Sequence, residues 1–362
     1  MVWGFLLVAV AACGQESHDH GVPEKLGKVS FRVSCAQGVQ AEFNRAVALL
    51  HSFAYAASEA AFQNVASKDT SCAMAHWGVA MTHFHQLWDP RLGPGSVEIG
   101  VREVALAQKP GARSLREKQY IEALTLIFDN AVAVPYSTRA VRYEQAMKKL
   151  AGDDRSDVEA QVFYALALLS NASPTDKTHA NQKQAVAILE PLWREYPDHP
   201  GIPHYLIHAC DNSELAERGL AAARAYSKIA PSAPHALHMP SHIFTQLGLW
   251  DDSIASNLAA REAAREQGDI GEELHAMDYL VYAYLQLNRN DDAKRVIEQL
   301  QSMPRLNRSD FKVSYAATAM PVRYAVERQQ WKDAEATAPS EGAPPQVEAI
   351  AIWARGLGLA RG

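Results

Sequence analysis

The segment AVAILEPLW at residues 185–193 is followed by GLAAARAYS at residues 219–227 and by SIASNLAAR at residues 253–261. Each segment begins with a small residue, and 34 residues separate one start from the next. Pro197 and Pro231, which follow the first two segments, are also 34 residues apart. Small residues at fixed intervals let helices approach closely. The spacing therefore predicts a stack of similar helix pairs.

The composition agrees with an all-α repeat protein. The 362 residues are 48% hydrophobic, and most regular segments are rich in Ala, Leu, Glu, Gln and Arg with little period-two alternation. A repeat array grows in one dimension, so this length does not require two compact domains. The net charge of −6 offers no attraction for phosphate backbones, so we expect no nucleic acid partner.

Two further segments carry a family resemblance. GLWDDS at residues 248–253 and CAMAHWG at residues 72–78 resemble the second and first helices of the tetratricopeptide repeat (TPR) family. The resemblance implies a right-handed α-solenoid of about seven to eight helix pairs over residues 39–337. It also implies a concave groove, formed by the first helix of each pair, that holds a peptide or a partner protein. The stretch PHALHMPSHIF at residues 234–244 is similar to an exported bacterial branch of that family.

Beyond the array, residues 338–362 are expected to form a loop and a capping helix. Val347, Ile350, Trp353 and Leu357 give this helix one apolar face. Within the array, Pro240 predicts either a kink or a late helix start, because proline removes one helical hydrogen bond.

The beginning of the chain resembles a bacterial lipoprotein signal. An apolar run ends in small residues before Cys13, so residues 1–12 are predicted to be removed and Cys13 to be lipidated. No Lys or Arg precedes the run, which departs from that pattern, and an ordinary secretory signal is the alternative. Residues 13–38 are expected to form a tether and N-terminal segment. The implied location is the bacterial cell envelope, facing the periplasm or exterior, with a lipid anchor as the only membrane contact.

Three cysteines remain after Cys13. Cys35 and Cys72 flank the first predicted helical hairpin, so a disulfide between them is expected in an oxidising compartment. Cys210 lies in an apolar stretch and is expected to be a buried free thiol.

The standard cofactor and nucleophile motifs are not found in the sequence. It contains no Gly-x-x-x-x-Gly-Lys, Gly-x-Ser-x-Gly, His-Glu-x-x-His or Cys-x-x-Cys pattern. The first functional hypothesis is therefore a scaffold that binds a peptide or partner protein in its groove, and whether the protein is an enzyme stays open.

The histidines support a second hypothesis. His204 and His238 are 34 residues apart, as are His208 and His242. Residues four apart share a helix face, so each His-x-x-x-His pair projects in one direction. We expect these four imidazoles to converge on a transition-metal site. The candidate metals are zinc, copper and iron.

A six-residue shift in the repeat brings further residues into the same register. It aligns His275 with His235 and Asp278 with His238, so His275 or Asp278 is expected as a further ligand or a supporting group. The alternative is that repeat duplication copied a histidine that serves only packing.

Overall fold

The computed structural model describes residues 24–87, 92–109, 113–304, 306–339 and 341–362. Within these residues the regular structure is helical and no β-strand occurs. A 3-10 turn at Gln37–Val39 precedes the first α-helix. The α-helices are, in chain order, α1 (Gln40–His51), α2 (Tyr55–Lys68), α3 (Ala73–Thr82), α4 (Pro94–Gln108), α5 (Leu115–Phe128), α6 (Tyr136–Asp153), α7 (Val158–Ser170), α8 (Ala180–Glu195), α9 (Gly201–Cys210), α10 (Ala216–Ile229), α11 (Pro234–His238), α12 (Pro240–Gln246), α13 (Trp250–Gln267), α14 (Ile270–Gln286), α15 (Asn290–Ser302), α16 (Phe311–Glu327), α17 (Trp331–Glu335) and α18 (Pro345–Arg361).

Consecutive helices form hairpin pairs that pack one after another. The first helix of each pair, which we call the A helix, is α1, α3, α5, α7, α9, the broken helix α11–α12, α14 or α16. The next helix in the chain packs against it, and α18 packs on α16 and α17 after the last pair. This arrangement confirms the predicted all-α solenoid of helix pairs with a terminal capping helix.

Local sequence explains where the helices begin and where they approach closely. Asp157, Asp269 and Asp310 precede α7, α14 and α16, and each side chain accepts a hydrogen bond from the N–H three residues later. The small residue at position 219 is required, because a Cβ on Gly219 would lie 2.7 Å from the Cβ of Cys210. The repeated small residues therefore mark helix contacts, as predicted.

Pro240 divides one A helix into two. The helix α11 ends at His238 and α12 begins at Pro240, since proline cannot donate a backbone hydrogen bond within a continuous helix. The break falls between the two histidines of one predicted pair.

One face of the A helices is covered in part by the chain itself. The extended residues 24–36 cross the beginnings of several A helices: the N–H of Lys28 donates to the carbonyl of Asp198 at 2.9 Å, and the N–H of Ser34 donates to Glu117. Phe31 is fully buried against the rings of Trp77 and Tyr120. From Glu24 onward, the predicted N-terminal segment 13–38 is thus packed against the array.

Helix α1 also packs against later A helices. The His51 ring stacks on Phe163 of α7 at 4.8 Å between centroids, and its Nδ1 lies 3.0 Å from the Tyr205 hydroxyl of α9. The approach is close because residue 201 is glycine: a Cβ there would lie 2.6 Å from Nδ1 of His51. Helix α1 therefore contacts helices far along the chain as well as its own partner α2.

The predicted cysteine pair is present, since a disulfide joins Cys35 to Cys72. Cys210 is buried as a free thiol. The predicted signal peptide and Cys13 lie outside the described residues. In the part of the chain that the structure describes, none of the helices has the combined length and apolar character needed to cross a membrane.

Candidate metal centre

Six histidines form two neighbouring groups of three. In each group, one imidazole nitrogen from each residue lies within 4.8 Å of the other two. The residues come from the A helices α9, α11–α12 and α14, which belong to three successive helix pairs. Group A consists of His204, His208 and His235, and group B consists of His238, His242 and His275.

Each group contains one of the predicted His-x-x-x-His pairs. The Nε2 atoms of His204 and His208 are 3.1 Å apart, and those of His238 and His242 are 3.0 Å apart. The two pairs thus repeat the same arrangement one helix pair later, in spite of the break at Pro240.

Hydrogen bonds fix the protonation of both rings in the pair of group B. The Nδ1 of His238 lies 2.7 Å from Oδ1 of Asn257, and the Nδ2 of Asn257 donates to a backbone carbonyl, which identifies the amide oxygen as the acceptor. The Nδ1 of His242 lies 2.8 Å from the carboxylate of Asp211. Both Nδ1 atoms must therefore carry hydrogen, and in the neutral rings both Nε2 atoms present lone pairs.

Group A is held partly by the end of α1. The Nδ1 of His204 donates to the backbone carbonyl of His51 at 2.5 Å, which leaves its Nε2 as a lone pair facing His208. The ring of Phe53 lies 4.5 Å from that of His204 and 5.4 Å from that of His235. This contact shields one side of the group from water.

Five of the six rings have a lowered pKa. Burial is the main cause, and neighbouring imidazoles lower the pKa of His204, His208 and His238 further. Burial lowers the pKa of His275 to about 3. Neutral imidazole is the form that binds metal ions. The residues with lowered pKa values are His204, His208, His235, His238 and His275.

Two carboxylates lie behind the rings. Burial raises the pKa of Asp211, but the hydrogen bonds from His242 and Gln246, together with the nearby imidazoles, outweigh this effect and bring the pKa to about 2. Glu272 lies 3.3 Å from Nδ1 of His235 and also contacts Lys312. A carboxylate behind a histidine orients the ring and increases its basicity at a metal.

The structure divides the four predicted ligands between two groups, while the sequence indicated a single point of convergence. His275 joins group B, with its ring 4.3 Å from that of His238. Asp278 lies in neither group, because its carboxylate is paired with Arg323 of α16. That side of α14 presents Tyr279 to group B, with its hydroxyl 3.3 Å from both ring nitrogens of His242.

A third group of His51, Glu159 and His199 has a different character. The carboxylate of Glu159 accepts hydrogen bonds from Nε2 of His51 at 2.8 Å and from Nε2 of His199 at 3.1 Å. The Nδ1 of His199 accepts from the N–H of Gly201, and that of His51 contacts Tyr205. All four ring nitrogens have protein partners, so this network joins α1, α7 and α9 and leaves no nitrogen for a metal.

Sequence reasoning missed the groups that support the histidines. Asp211 follows α9 directly, and Asn257 belongs to the helix that pairs with α11–α12, so neither shares the phase of the histidines. His51 and Phe53 are about 150 residues away along the chain from the rings they contact. The alignment of His235 with His275 was the one available signal for the third member of each group.

The chain is thus a helical-repeat protein whose A helices carry two three-histidine groups. No family profile matches the sequence, and no curated protein matches it. Among solved structures, the chain is similar to the crystal structure of the TPR domain of P58(IPK), at 11% identity and a TM-score of 0.21. The alignment covers 88% of this chain and 98% of that one.

Proposed function

We propose that the protein binds a transition metal through groups A and B. The observation that carries this proposal is the His238–His242 pair, whose Nε2 atoms face each other at 3.0 Å while both Nδ1 atoms donate elsewhere. Two facing lone pairs repel each other unless a cation lies near both. A metal ion ligated by the two nitrogens removes the repulsion.

The distances suit a metal after a small adjustment. Zinc–nitrogen bonds of about 2.0–2.1 Å at a tetrahedral angle place two ligand nitrogens about 3.3 Å apart. The two pairs are at 3.0 and 3.1 Å, so each needs to open by only a few tenths of an ångström. The third histidine of each group completes a three-nitrogen set, and imidazole suits zinc, copper, iron and nickel.

A proton is the competing explanation for the group B pair. An imidazolium at His242 would donate to His238, and Asp211 would balance its charge. In group A, a neutral His208 can donate from its Nε2 to the Nε2 of His204, whose Nδ1 donates to the carbonyl of His51. The group B pair therefore carries the proposal, and group A offers the same ligand set one helix pair earlier.

The test is metal content and affinity in protein purified without a histidine tag. We expect the wild type to carry a transition metal and to bind zinc or copper tightly. His208→Ala and His242→Ala should each lose metal, while His76→Ala, which removes a histidine paired with Glu103 away from both groups, should not. Metal-free protein that also fails to bind zinc and copper in titrations would reject the proposal.

A second candidate is the binding of a polypeptide on the inner face, in line with a scaffold role. It is favoured by the chain's own residues 24–36, which lie extended across the A helices, and by a cavity of about 1250 Å³ beside them. The lining of this cavity includes Arg45, Asp154 and Tyr196. A synthetic peptide of residues 24–36 should bind to a Phe31→Ala variant, whose own segment is weakened, and a scrambled peptide should not.

We also propose attachment to the bacterial cell envelope through a lipid on Cys13. The support is the sequence before Cys13 together with the Cys35–Cys72 disulfide, which suits an oxidising compartment. Metabolic labelling with a fatty-acid analogue should modify the wild type and leave Cys13→Ser unlabelled. Label retained in that variant would place the lipid elsewhere, and an unlabelled wild type would reject the anchor.

A further inference from the structure

We infer that groups A and B form one dinuclear copper centre and are not two independent sites. This inference rests on the proposed metal binding and adds the number, kind and coupling of the ions.

The two groups lie close together. Between the groups, the ring centroids of His208 and His242 are 6.2 Å apart, and those of His235 and His238 are 6.1 Å apart. Within the groups, the longest distances are 6.4 Å for His208–His235 and 6.3 Å for His242–His275. These rings of different groups are thus slightly nearer than the most widely separated rings of one group, so ions bound in both groups would lie side by side.

Charge favours monovalent ions at these groups. Imidazole binds a metal in its neutral form, and the charged side chains around the two groups are Asp211, Glu272 and Lys312, because Asp278 is neutralised by Arg323. Two negative charges and one positive charge leave one net negative charge. Two divalent ions would add four positive charges in a buried setting, whereas two copper(I) ions add two. Copper is the metal suited to imidazole that is stable in the monovalent state.

One side of the centre lies nearer to solvent than the other. His204, His235 and His238 are buried, while His208, His242 and His275 are only partly buried. Three nitrogen ligands per ion leave a coordination position for an external ligand. The ligand class that fits two adjacent copper ions is a small molecule or anion that bridges them, with azide as a practical probe.

The test combines stoichiometry with electron paramagnetic resonance. Full-length protein is loaded anaerobically with copper(I), metal is counted, and the ions are then oxidised to copper(II) with a one-electron oxidant. Azide is added with the oxidant as a bridging anion. We expect two copper ions per chain but far less signal than two isolated copper(II) ions give, because a ligand that bridges adjacent ions couples their unpaired spins. Single-ion variants treated in the same way should keep the full signal of one copper(II) ion.

Matched variants separate the two groups. His208→Ala should keep one copper in group B, and His242→Ala should keep one in group A; each should regain the full signal of one isolated ion. His76→Ala should behave as the wild type.

The outcomes distinguish this inference from the proposed function. Two copper ions with the full signal of two, one copper ion per wild-type chain, or two zinc ions bound as tightly as two copper(I) ions would each overturn the dinuclear copper centre and leave metal binding in place. Failure to bind copper, zinc or any other transition metal would reject both.

Discussion

Asn257 controls which nitrogen of His238 faces His242. It is fully buried, and its amide oxygen accepts the Nδ1 hydrogen of His238. Replacing such a supporting group typically lowers metal affinity by about 10–100-fold. We therefore expect Asn257→Leu to weaken binding at group B by that factor and to leave group A at wild-type affinity. Competitive titration with a metal chelator measures the metal affinities of both groups, and Asn171→Leu serves as the control. Equal weakening of both groups would instead indicate a general loss of structure.

Cys210 is the second residue with a definite chemical expectation. Burial raises the pKa of its thiol to about 12, so almost no thiolate exists at pH 8. We expect iodoacetamide to leave Cys210 unmodified in the folded protein and to alkylate it fully in urea, with peptide mass mapping as the measurement. Rapid alkylation of the folded protein would contradict the buried position.

At the scale of the element, α1 is held on the array by Glu159. Burial raises the pKa of this carboxyl, but its contacts with His199 and His51 together lower the pKa by more. The carboxyl is therefore ionised at neutral pH. Hydrogen bonds to a charged group contribute about 1.5–3 kcal/mol each. We expect Glu159→Gln to lower the free energy of unfolding by roughly 2–4 kcal/mol, as measured by urea denaturation at pH 7.5. Asp198→Asn, which removes an exposed ion pair with Lys28, should cost less than about 1 kcal/mol.

The same network gives a pH dependence with a fixed sign. Burial lowers the pKa of His51 in the folded protein. Between this lowered pKa and the pKa of 6.5 in the unfolded chain, only the unfolded chain carries a proton on His51, so stability falls as the pH falls. Glu159 also has a lowered pKa in the folded protein; its contribution to stability is complete above pH 4.5 and is lost as the pH falls below that value. We expect stability to decline from about pH 6.5 downward, and the decline below pH 4.5 to be shallower in Glu159→Gln. Stability that rises between pH 6.5 and 5 would contradict these signs.

How far the sequence predicts an element depends on how local its contacts are. The 34-residue spacing predicted the helix pairs and the register of His204 with His238, because both follow from contacts between neighbouring pairs. It did not predict that α1 packs on α7 and α9, since the partners of His51 are more than 100 residues away. The polar residues after Gln15 indicated a tether, whereas Leu26 and Phe31 are buried, and Val29 and Val33 are partly buried, in the segment from Glu24 onward. Their partners lie in helices far along the chain, so the sequence of the segment alone does not identify them.

At the scale of the whole molecule, these distant contacts divide the array into two regions of different cooperativity. In a simple solenoid each unit contacts only its neighbours and unfolds with them. Here α1 and residues 24–36 connect α3, α5, α7 and α9, whereas α16 to α18 contact only elements near them in the chain. The first half of the molecule should therefore open as one unit, and its end should open alone.

A pair of variants tests this division. Phe31→Ala removes a fully buried ring from the first region, which typically costs about 3–5 kcal/mol. Gly358→Val disturbs the second region, because a Cβ at residue 358 would lie within 2.7 Å of the carbonyl oxygen of Trp331 and force α18 away from α17. By hydrogen exchange we expect Phe31→Ala to accelerate exchange together in α3, α5, α7 and α9. Gly358→Val should accelerate it in α17 and α18 alone and leave metal binding unchanged. Two outcomes would contradict this division. In Gly358→Val, exchange would rise throughout the chain; in Phe31→Ala, it would rise only beside residue 31. Either result would show that α1 and residues 24–36 do not unite the first half of the array.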